Sequence, residues 1–588
     1  MIPFLLTLSA CHRPQDNGSE GTDSAPSCVV GWDPTDVGMD YFLGVVTDDE
    51  GALAIGATGR VVRIDGAETL DAGSAELHLH RVVRAADGTI WALANDSGVW
   101  KWDGAWSELP RGGVENAYDL VARASGDVVV IGTDECSDCH EPTTHVASWD
   151  GAGWHVVDLP EDQYGYAAAE TPDGRLVIVG GGGLVSVESG GEFEALDSGT
   201  NGFLVSVAAD DSGIVAAGWN GVVVRGDLDD LIAETIGADT PSQVDISGGV
   251  AWVAAWEGLW AHTTEGWTQV PATGNPYAVT ATAADDVFVL TDADVSLVLR
   301  GDANGLDEVY RKVGADGVQS TWTDEKGDTW MTDWDGRLLH LQGDTLELAG
   351  RTVFYGIAMD GAHSDDIVFA EQGIAEWDGE TLRTTELDDD LFFGVAVSDA
   401  GAWVVGLHRV EGSEDSVPLV LERSGDGWTE LPLVVEGSRY LTAAWASDDG
   451  VLYVLAELSG STALLRWDGS EWTTLNGDLG DRYAGLEGAG PDDVYVYGGL
   501  SGGSSVLHWD GTALAPVGES RRVIDVAITD TTVYAMTFDP DAASELAVLA
   551  GPNPYGSFTD VEYVRMSAGG GTVALVSEAT AWRWTDCE

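Results

Sequence analysis

Short apolar runs separated by polar turns recur along almost the whole chain. From Arg81 the sequence reads RVVRAADGTIWALANDSGVWKWDGAWSELP. This is an alternating strand, an Asp-Gly turn, a strand holding Trp91, a Gly turn, a strand ending Trp102-Asp103-Gly104, and a last strand with Trp106 and Leu109. Alternation with a period of two, punctuated by Gly and Asp, predicts four short antiparallel strands. The same order recurs from Tyr118, where the third strand ends in Trp149-Asp150-Gly151 and Trp154 follows. It returns from Phe354 (Trp377-Asp378-Gly379), Tyr440 (Trp467-Asp468-Gly469, then Trp472) and Arg482 (Trp509-Asp510-Gly511). Degenerate copies begin near Phe42, Tyr164, Phe203, Gln243, Tyr277, Gly317, Phe393, Arg522 and Val561. Trp334-Asp335-Gly336 stands apart, since it falls between the second and third strands of its copy.

The copies number about fourteen at a spacing of about 40 residues, the period of four-stranded propeller blades. One such sheet cannot bury both of its faces, but sheets stacked around an axis bury one another, and the recurring aromatics then fill the seams. The pattern D-G-x-x-W, a Gly turn, then W-D-G with another Trp soon after resembles the propeller repeats of two-component sensor ectodomains. It is also similar to kelch-like and sialidase-like blades, over nearly the whole folded region. The resemblance implies an all-β chain of tandem β-propellers and says little about function, because propellers host sensors, adhesins, hydrolases, lyases and scaffolds alike. At 588 residues the chain exceeds what one core serves. Two seven-bladed rings, residues 28–315 and 316–588, are the simplest division, with eight and six blades as the other. The last repeat stops at Thr580 to Trp584 without a fourth strand, while Cys28-Val29-Val30-Gly31-Trp32 resembles a strand without a repeat. Strand 28–32 is therefore a candidate to complete the last blade, which would place the first and last repeats in one ring and insert the other ring between them.

Residues 1–10 form a short apolar run ending Leu8-Ser9-Ala10 before Cys11. This resembles the lipobox of bacterial lipoproteins, although no Lys or Arg precedes the run as a signal peptide requires. It implies lipidation of Cys11, with residues 11–27 as a polar tether. The expected address is export to the periplasm or to the outer-membrane or cell surface, with the membrane reached through that lipid alone. Cys28, Cys136, Cys139 and Cys587 remain, an even number in an oxidising compartment. Two disulfides fit: Cys136 with Cys139, and Cys28 with Cys587.

Charge narrows the partners. Asp and Glu number 100 against 26 Lys and Arg, and the only lysines are Lys101, Lys312 and Lys326. No basic stripe exists to release counterions from a phosphate backbone, so nucleic acid is excluded as a partner.

Candidate chemistry is thin. Cys136-Ser137-Asp138-Cys139-His140 spells the C-x-x-C-H attachment sequence of c-type haem, and His145 extends it toward a tetrahedral zinc set. A loop disulfide is the plainer reading, because the surrounding residues are polar and no second haem ligand stands out. Thr323 to Trp330 resembles the Asp-box of sialidase-type propellers, a turn element remote from catalysis, with Glu325 where that motif has Asp. Acidic pairs such as Asp210-Asp211, Asp448-Asp449 and Asp492-Asp493 are calcium candidates that read equally as hairpin corners. Gly499 to Gly503 fits G-x-S-x-G in letters but opens no helix, and His80, His340 and His508 read as strand residues. No catalytic residue follows. The expected function is a lipid-anchored binding or scaffolding propeller that contacts an envelope protein or glycan. The alternatives are a secreted carbohydrate-active enzyme, a lyase or glycosidase, and a haem c redox protein. The enzyme reading requires convergent carboxylates or a Tyr/His pair at a ring axis; the binding reading requires an exposed aromatic or charged cluster on a loop face.

Overall fold

The computed structural model describes residues 33–585 except 37–40, 49–50, 65–67, 72, 74–76, 86, 111–113, 134–142, 162, 293–294, 388, 411–415, 426, 434, 499–505, 518–521, 530–531, 540–541, 551–564, 570–571 and 577–579. These residues form thirteen four-stranded antiparallel sheets and one of three strands. The only helical elements described are two single turns, Gly181–Gly183 and Trp219–Gly221. The repeat read from Arg81 is the sheet Leu79–Arg84, Ile90–Ala94, Val99–Trp102 and Trp106–Glu108. Sheets of this kind repeated about an axis are the β-propeller fold.

The chain divides into two compact units, Met39–Gly314 and the combination of Met1–Gly38 with Ala315–Glu588. In Met39–Gly314 the first strand of each sheet packs against the first strand of the next, and the seventh, Asn275–Ala283, returns to Phe42–Asp48. Apolar side chains close that cycle: Phe42, Val45, Phe288 and Leu290 share one cluster, and the Phe42 and Tyr310 rings meet edge to face at 5.4 Å.

The other unit closes differently. The three strands Arg565–Gly569, Thr572–Val576 and Thr580–Thr585 gain a fourth from the start of the chain, Asp33–Asp36, which pairs antiparallel with Asp33 opposite Arg583 and Asp36 opposite Thr580. The innermost strand of this sheet, Arg565–Gly569, packs on Val318–Thr323 and completes the cycle. Here the seam is polar: the Thr323 and Ser567 hydroxyls lie 2.6 Å apart, and Arg565 Nε donates to the Gln319 carbonyl at 2.7 Å. On the outer edge, Thr35 Oγ1 donates to Asp344 Oδ1 at 3.1 Å, tying the added strand to the neighbouring sheet. Pro34 fits this place, because only an edge strand tolerates a residue with no N–H to give. The unit that follows thus begins at Met39, not at residue 28, because the preceding segment pairs with the C-terminal strand. Residues 28–32, with Cys28, lie outside the described residues, as does Cys587.

Burial runs from the middle of each sheet outward. Second strands such as Ile90–Ala94, Val128–Thr133 and Leu176–Gly180 are buried at every position, which explains their unbroken apolar runs. Fourth strands such as Trp154–Asp158 are mostly exposed. Their tryptophans reach back to the preceding sheet: Trp154 Nε1 donates to the Pro110 carbonyl at 2.7 Å and Trp472 Nε1 to that of Pro432 at 3.1 Å. The W-D-G turns are held by their aspartates. Asp150 Oδ1 accepts the amides of Ala152 and Gly153 at 2.8 and 2.9 Å, and Asp510 does the same for Thr512 and Ala513 at 2.9 and 2.7 Å. The glycine at each such turn adopts positive φ, 90° at Gly151 and 83° at Gly511. Trp154→Phe keeps an aromatic side chain but removes the indole N–H and its seam hydrogen bond along with part of the ring, so urea denaturation should show a loss of at least about 1 kcal/mol.

Candidate functional site

The innermost strands of a propeller are sheet edges, so their outward amides need partners other than another strand. Side chains on the neighbouring innermost strand supply them. In Met39–Gly314, Asp119 accepts the Leu120 amide at 2.9 Å and that of Ala168, one sheet on, at 2.8 Å. Asp245 likewise accepts from Ile246 at 2.8 Å and from Ala281 at 2.7 Å, while Ser206 and Gln243 accept single amides of the next sheet.

The same device lines a cavity of about 790 Å³ in the unit containing Ala315–Glu588, to which all seven innermost strands contribute. Asp360 accepts the Gly361 amide at 2.9 Å and that of Val397 on the next sheet at 2.8 Å. Asp525 accepts the Val526 amide at 3.0 Å, the Met566 amide at 2.9 Å and the Tyr497 hydroxyl at 3.1 Å. Glu487 sits between them electrostatically and feels both. Two glycines allow this crowding: a Cβ at Gly361 would lie 3.0 Å from the Trp322 ring, and one at Gly488 2.7 Å from that of Trp445.

All three carboxyls keep a margin of surface on the cavity but are otherwise enclosed by protein. Burial pushes Asp360 up to about 7 and Asp525 to about 6, against the amides that hold their charged forms. Glu487 is raised well above the usual range by burial and by the charges of Asp360 and Asp525. Asp245 is lifted to about 6 in the same way as Asp360 and Asp525. Because these folded values exceed the unfolded one of 3.8 for Asp, the stability they carry is complete below about pH 4 and is lost as pH rises through 6 to 7. The turn aspartates Asp150 and Asp510 run the other way: backbone and side-chain donors hold both at about 2, so their contribution disappears as pH falls below 3.8. Scanning calorimetry should therefore find a higher melting temperature at pH 5 than at pH 8, and a decline below about pH 3.5.

The enzyme reading asked for convergent carboxylates at an axis, and three are present. Two of them, Asp360 and Asp525, bind amides in the manner of Asp119 and Asp245, so they are seam ties first. Glu487 is held by the amide of its own successor Gly488, and it is the remaining candidate acid.

A second feature belongs to Met39–Gly314. The turn between the second and third strands lies beside the segment entering the first strand, as shown by Gly181 N–H to Tyr164 O at 2.9 Å and Trp219 N–H to Phe203 O at 3.0 Å. Along that end runs a chain of rings. Tyr118 stacks on Tyr166 at 5.3 Å and 20°, Tyr166 meets Phe203 edge on at 5.4 Å, and Phe203 stacks on Trp219 at 4.6 Å and 17°. Tyr164 leans on Tyr118 and Phe203 at 6.2 and 5.9 Å. Trp219 is 55% exposed although Phe203 backs one face, so its other face is open to solvent. The next sheet repeats the turn with Trp256, 53% exposed. The other unit does so with Trp334, 53% exposed and braced edge on by Tyr355 at 5.6 Å. The sequence reading treated tryptophan as seam packing and missed this use; the W-x-G turn after a second strand was the available signal.

Most residues singled out earlier fall elsewhere. Cys11, Cys28, Cys136, Cys139, His140 and Cys587 lie outside the described residues, as do residues 499–503. His145, on Thr144–Trp149, is 9% exposed and pairs through Nδ1 with Asp158 Oδ1 at 2.7 Å on the adjoining strand. Asp324 of the Asp-box is buried and accepts the amides of Lys326 and Asp328 at 2.9 and 3.0 Å, which makes it a turn element. Asp210 accepts the amides of Ser212 at 2.8 Å and Gly249 at 3.1 Å, as a hairpin corner does. His340 stacks on Trp330 at 4.1 Å and His508 on Tyr495 at 4.5 Å, each across a strand pair. Among the described residues no group of three or more His, Cys, Asp or Glu is placed to hold a metal ion. Nor is any described helix long and apolar enough to cross a membrane.

No family model matches the chain, and no curated protein does. Among solved structures it is similar to the extracellular domain assigned to a one component system in B. thetaiotaomicron, at 11% identity over 95% of this chain and 82% of that one, TM-score 0.36. It is also similar to PorZ, a bacterial surface component of the type-IX secretion system of Porphyromonas gingivalis, at 12% identity over 95% of this chain and 100% of that one, TM-score 0.36. Streptogramin B lyase matches 44% of this chain and 94% of its own at 13% identity, TM-score 0.37. Likenesses this distant carry no function across, and the assignment as a β-propeller protein rests on the sheets themselves.

Proposed function

We propose that this chain is an exported binding module, held to a bacterial envelope by lipid on Cys11, that grips an envelope protein or glycan with the aromatic end of Met39–Gly314. The observation that supports this is the run of rings ending in the open indole of Trp219, with Trp256 at the matching turn of the next sheet. Tyr118, Tyr164, Tyr166 and Phe203 are half-buried and form the backing, so the open surface is that of Trp219 and Trp256, and exposed indoles of this kind are typical of binding surfaces. Capture from envelope extracts with the native chain and with Trp219→Ala tests it: bound material should fall away with the substitution, and equal capture by both would refute it.

A second reading, a carbohydrate-active enzyme, is favoured by one observation only, the lining of the 790 Å³ cavity by the carboxyls of Asp360, Glu487 and Asp525 together with Tyr497. Turnover of neutral or charged glycans that vanishes in Glu487→Gln would establish it.

A further inference from the structure

We infer that the Trp219 turn is a subsite for an uncharged or amine-bearing pyranose of a glycan, with the open indole as its stacking platform. This rests on the binding role proposed for the same end of Met39–Gly314 and names its ligand class.

Three observations separate a sugar from a protein partner. The first is a sorting of exposed apolar groups. In this unit the exposed aliphatics Leu70, Val156, Val157 and Ile232 all lie on fourth strands, at the outer rim. The exposed aromatics Tyr41, Trp219 and Trp256 lie instead at the end carrying the turns between second and third strands. Protein hot spots also use Trp and Tyr, but amid further apolar contacts that exclude water; a sugar ring, apolar only on its C–H faces, is served by flat aromatics standing apart from aliphatics.

The second is the company the indole keeps. Segments 181–183, 198–203, 219–221, 237–240 and 256–258 read GGG, SGTNGF, WNG, GADT and WEG, with no Lys or Arg. Asn201 and Asn220 are exposed. Amides that both donate and accept suit hydroxyl groups. The carboxylates nearby, Asp239 and Glu257, together with a net charge of −74, repel uronates and sulfates and tolerate amines.

The third is that the platform is built in advance. Trp219 N–H is fixed to Phe203 O at 3.0 Å and Asn220 N–H to Asp239 O at 2.9 Å. Asn220 holds φ at 61°, one of two described residues other than glycine with positive φ. Phe203 locks the indole at 4.6 Å, so little side-chain freedom remains to be lost when a ring settles on its far face.

A printed array of neutral, amino-sugar, uronate-containing and sulfated glycans, probed with the full chain, tests this. The expected result is binding confined to features without anionic groups, weakened at least tenfold in Trp219→Ala and unchanged in Trp334→Ala. No neutral or amino-sugar feature bound, a preference for anionic features, or binding indifferent to Trp219→Ala would each overturn it. If the array is empty while a protein is captured from envelope extracts in a Trp219-dependent way, the glycan inference fails and the binding role stands. If neither capture nor array depends on Trp219, both fall.

Discussion

Removing Asp33–Asp36 is expected to lower the melting transition of the unit containing Ala315–Glu588 by about 5–7 °C and to leave that of Met39–Gly314 where it was. The four pairs from Asp33 opposite Arg583 to Asp36 opposite Thr580 would go, together with the Thr35 bond to Asp344. Hydrogen bonds of this sort contribute roughly 1 kcal/mol each, so about 3–4 kcal/mol is at stake. A unit of this size shifts by a little under 2 °C, roughly, per kcal/mol. The loss also uncovers Thr580–Thr585 as a bare sheet edge, so the variant should aggregate more readily on heating. Calorimetry of the full chain with and without the four residues reads both effects, because the selectivity between the two transitions matters more than the size of the shift.

Arg337→Leu should be the most destabilising single substitution in that same unit. Arg337 and Asp333 both have fully buried side chains. The guanidinium donates Nε to Asp333 Oδ2 at 2.8 Å and meets Asp335 at 3.1 Å, while Asp333 also accepts the amides of Asp316, Asp335 and Arg337 at 3.1, 3.0 and 3.0 Å. Burial already raises the Asp333 carboxyl in spite of its cationic partner. Without the arginine, a buried charge is left uncompensated, a loss of about 3–5 kcal/mol by denaturant unfolding at neutral pH. The double variant Arg337→Leu with Asp333→Leu should recover part of this, since removing both charges also removes their desolvation penalty.

The repeat was legible because it is local. Each W-D-G turn brings its own aspartate and its own positive-φ glycine, and three of them, before Trp106, Trp154 and Trp472, also bring the tryptophan that clamps the previous sheet, so a window of 40 or so residues holds the information. The closure strand was only half legible. A missing fourth strand at Thr580 to Trp584 announces that something must complete the sheet, but Asp33-Pro34-Thr35-Asp36 is polar and carries a proline, whereas Cys28 to Trp32, outside the described residues, reads as the more strand-like segment. Edge pairing asks little of a side chain, which is why the weaker-looking segment can fill it.

The axial carboxyls were hidden for a related reason. Asp360-Gly361 has the letters of a hairpin turn, yet it sits inside the strand Ala358–His363, where the glycine admits Trp322 and the aspartate ties the next sheet. Only the neighbouring sheet reveals that need, and it is more than thirty residues away in sequence, at Val397. The open indoles were hidden by an assumption. In a chain with 24 tryptophans, packing is the economical explanation for any one of them, and Trp219, Trp256 and Trp334 depart from it because each sits in an exposed turn, with Phe203 behind the first and Tyr355 beside the last.

A cycle of seven sheets, Met39–Gly314, interrupts in sequence a second cycle whose last sheet joins Asp33–Asp36 to Thr580–Thr585. Expression of residues 39–314 by themselves, followed by calorimetry, tests this most directly. The predicted result is one cooperative transition at the temperature of one of the two seen in the full chain, with circular dichroism of sheet and no helix. A fragment that fails to unfold cooperatively, or that folds only when residues 315–588 are supplied, would contradict it.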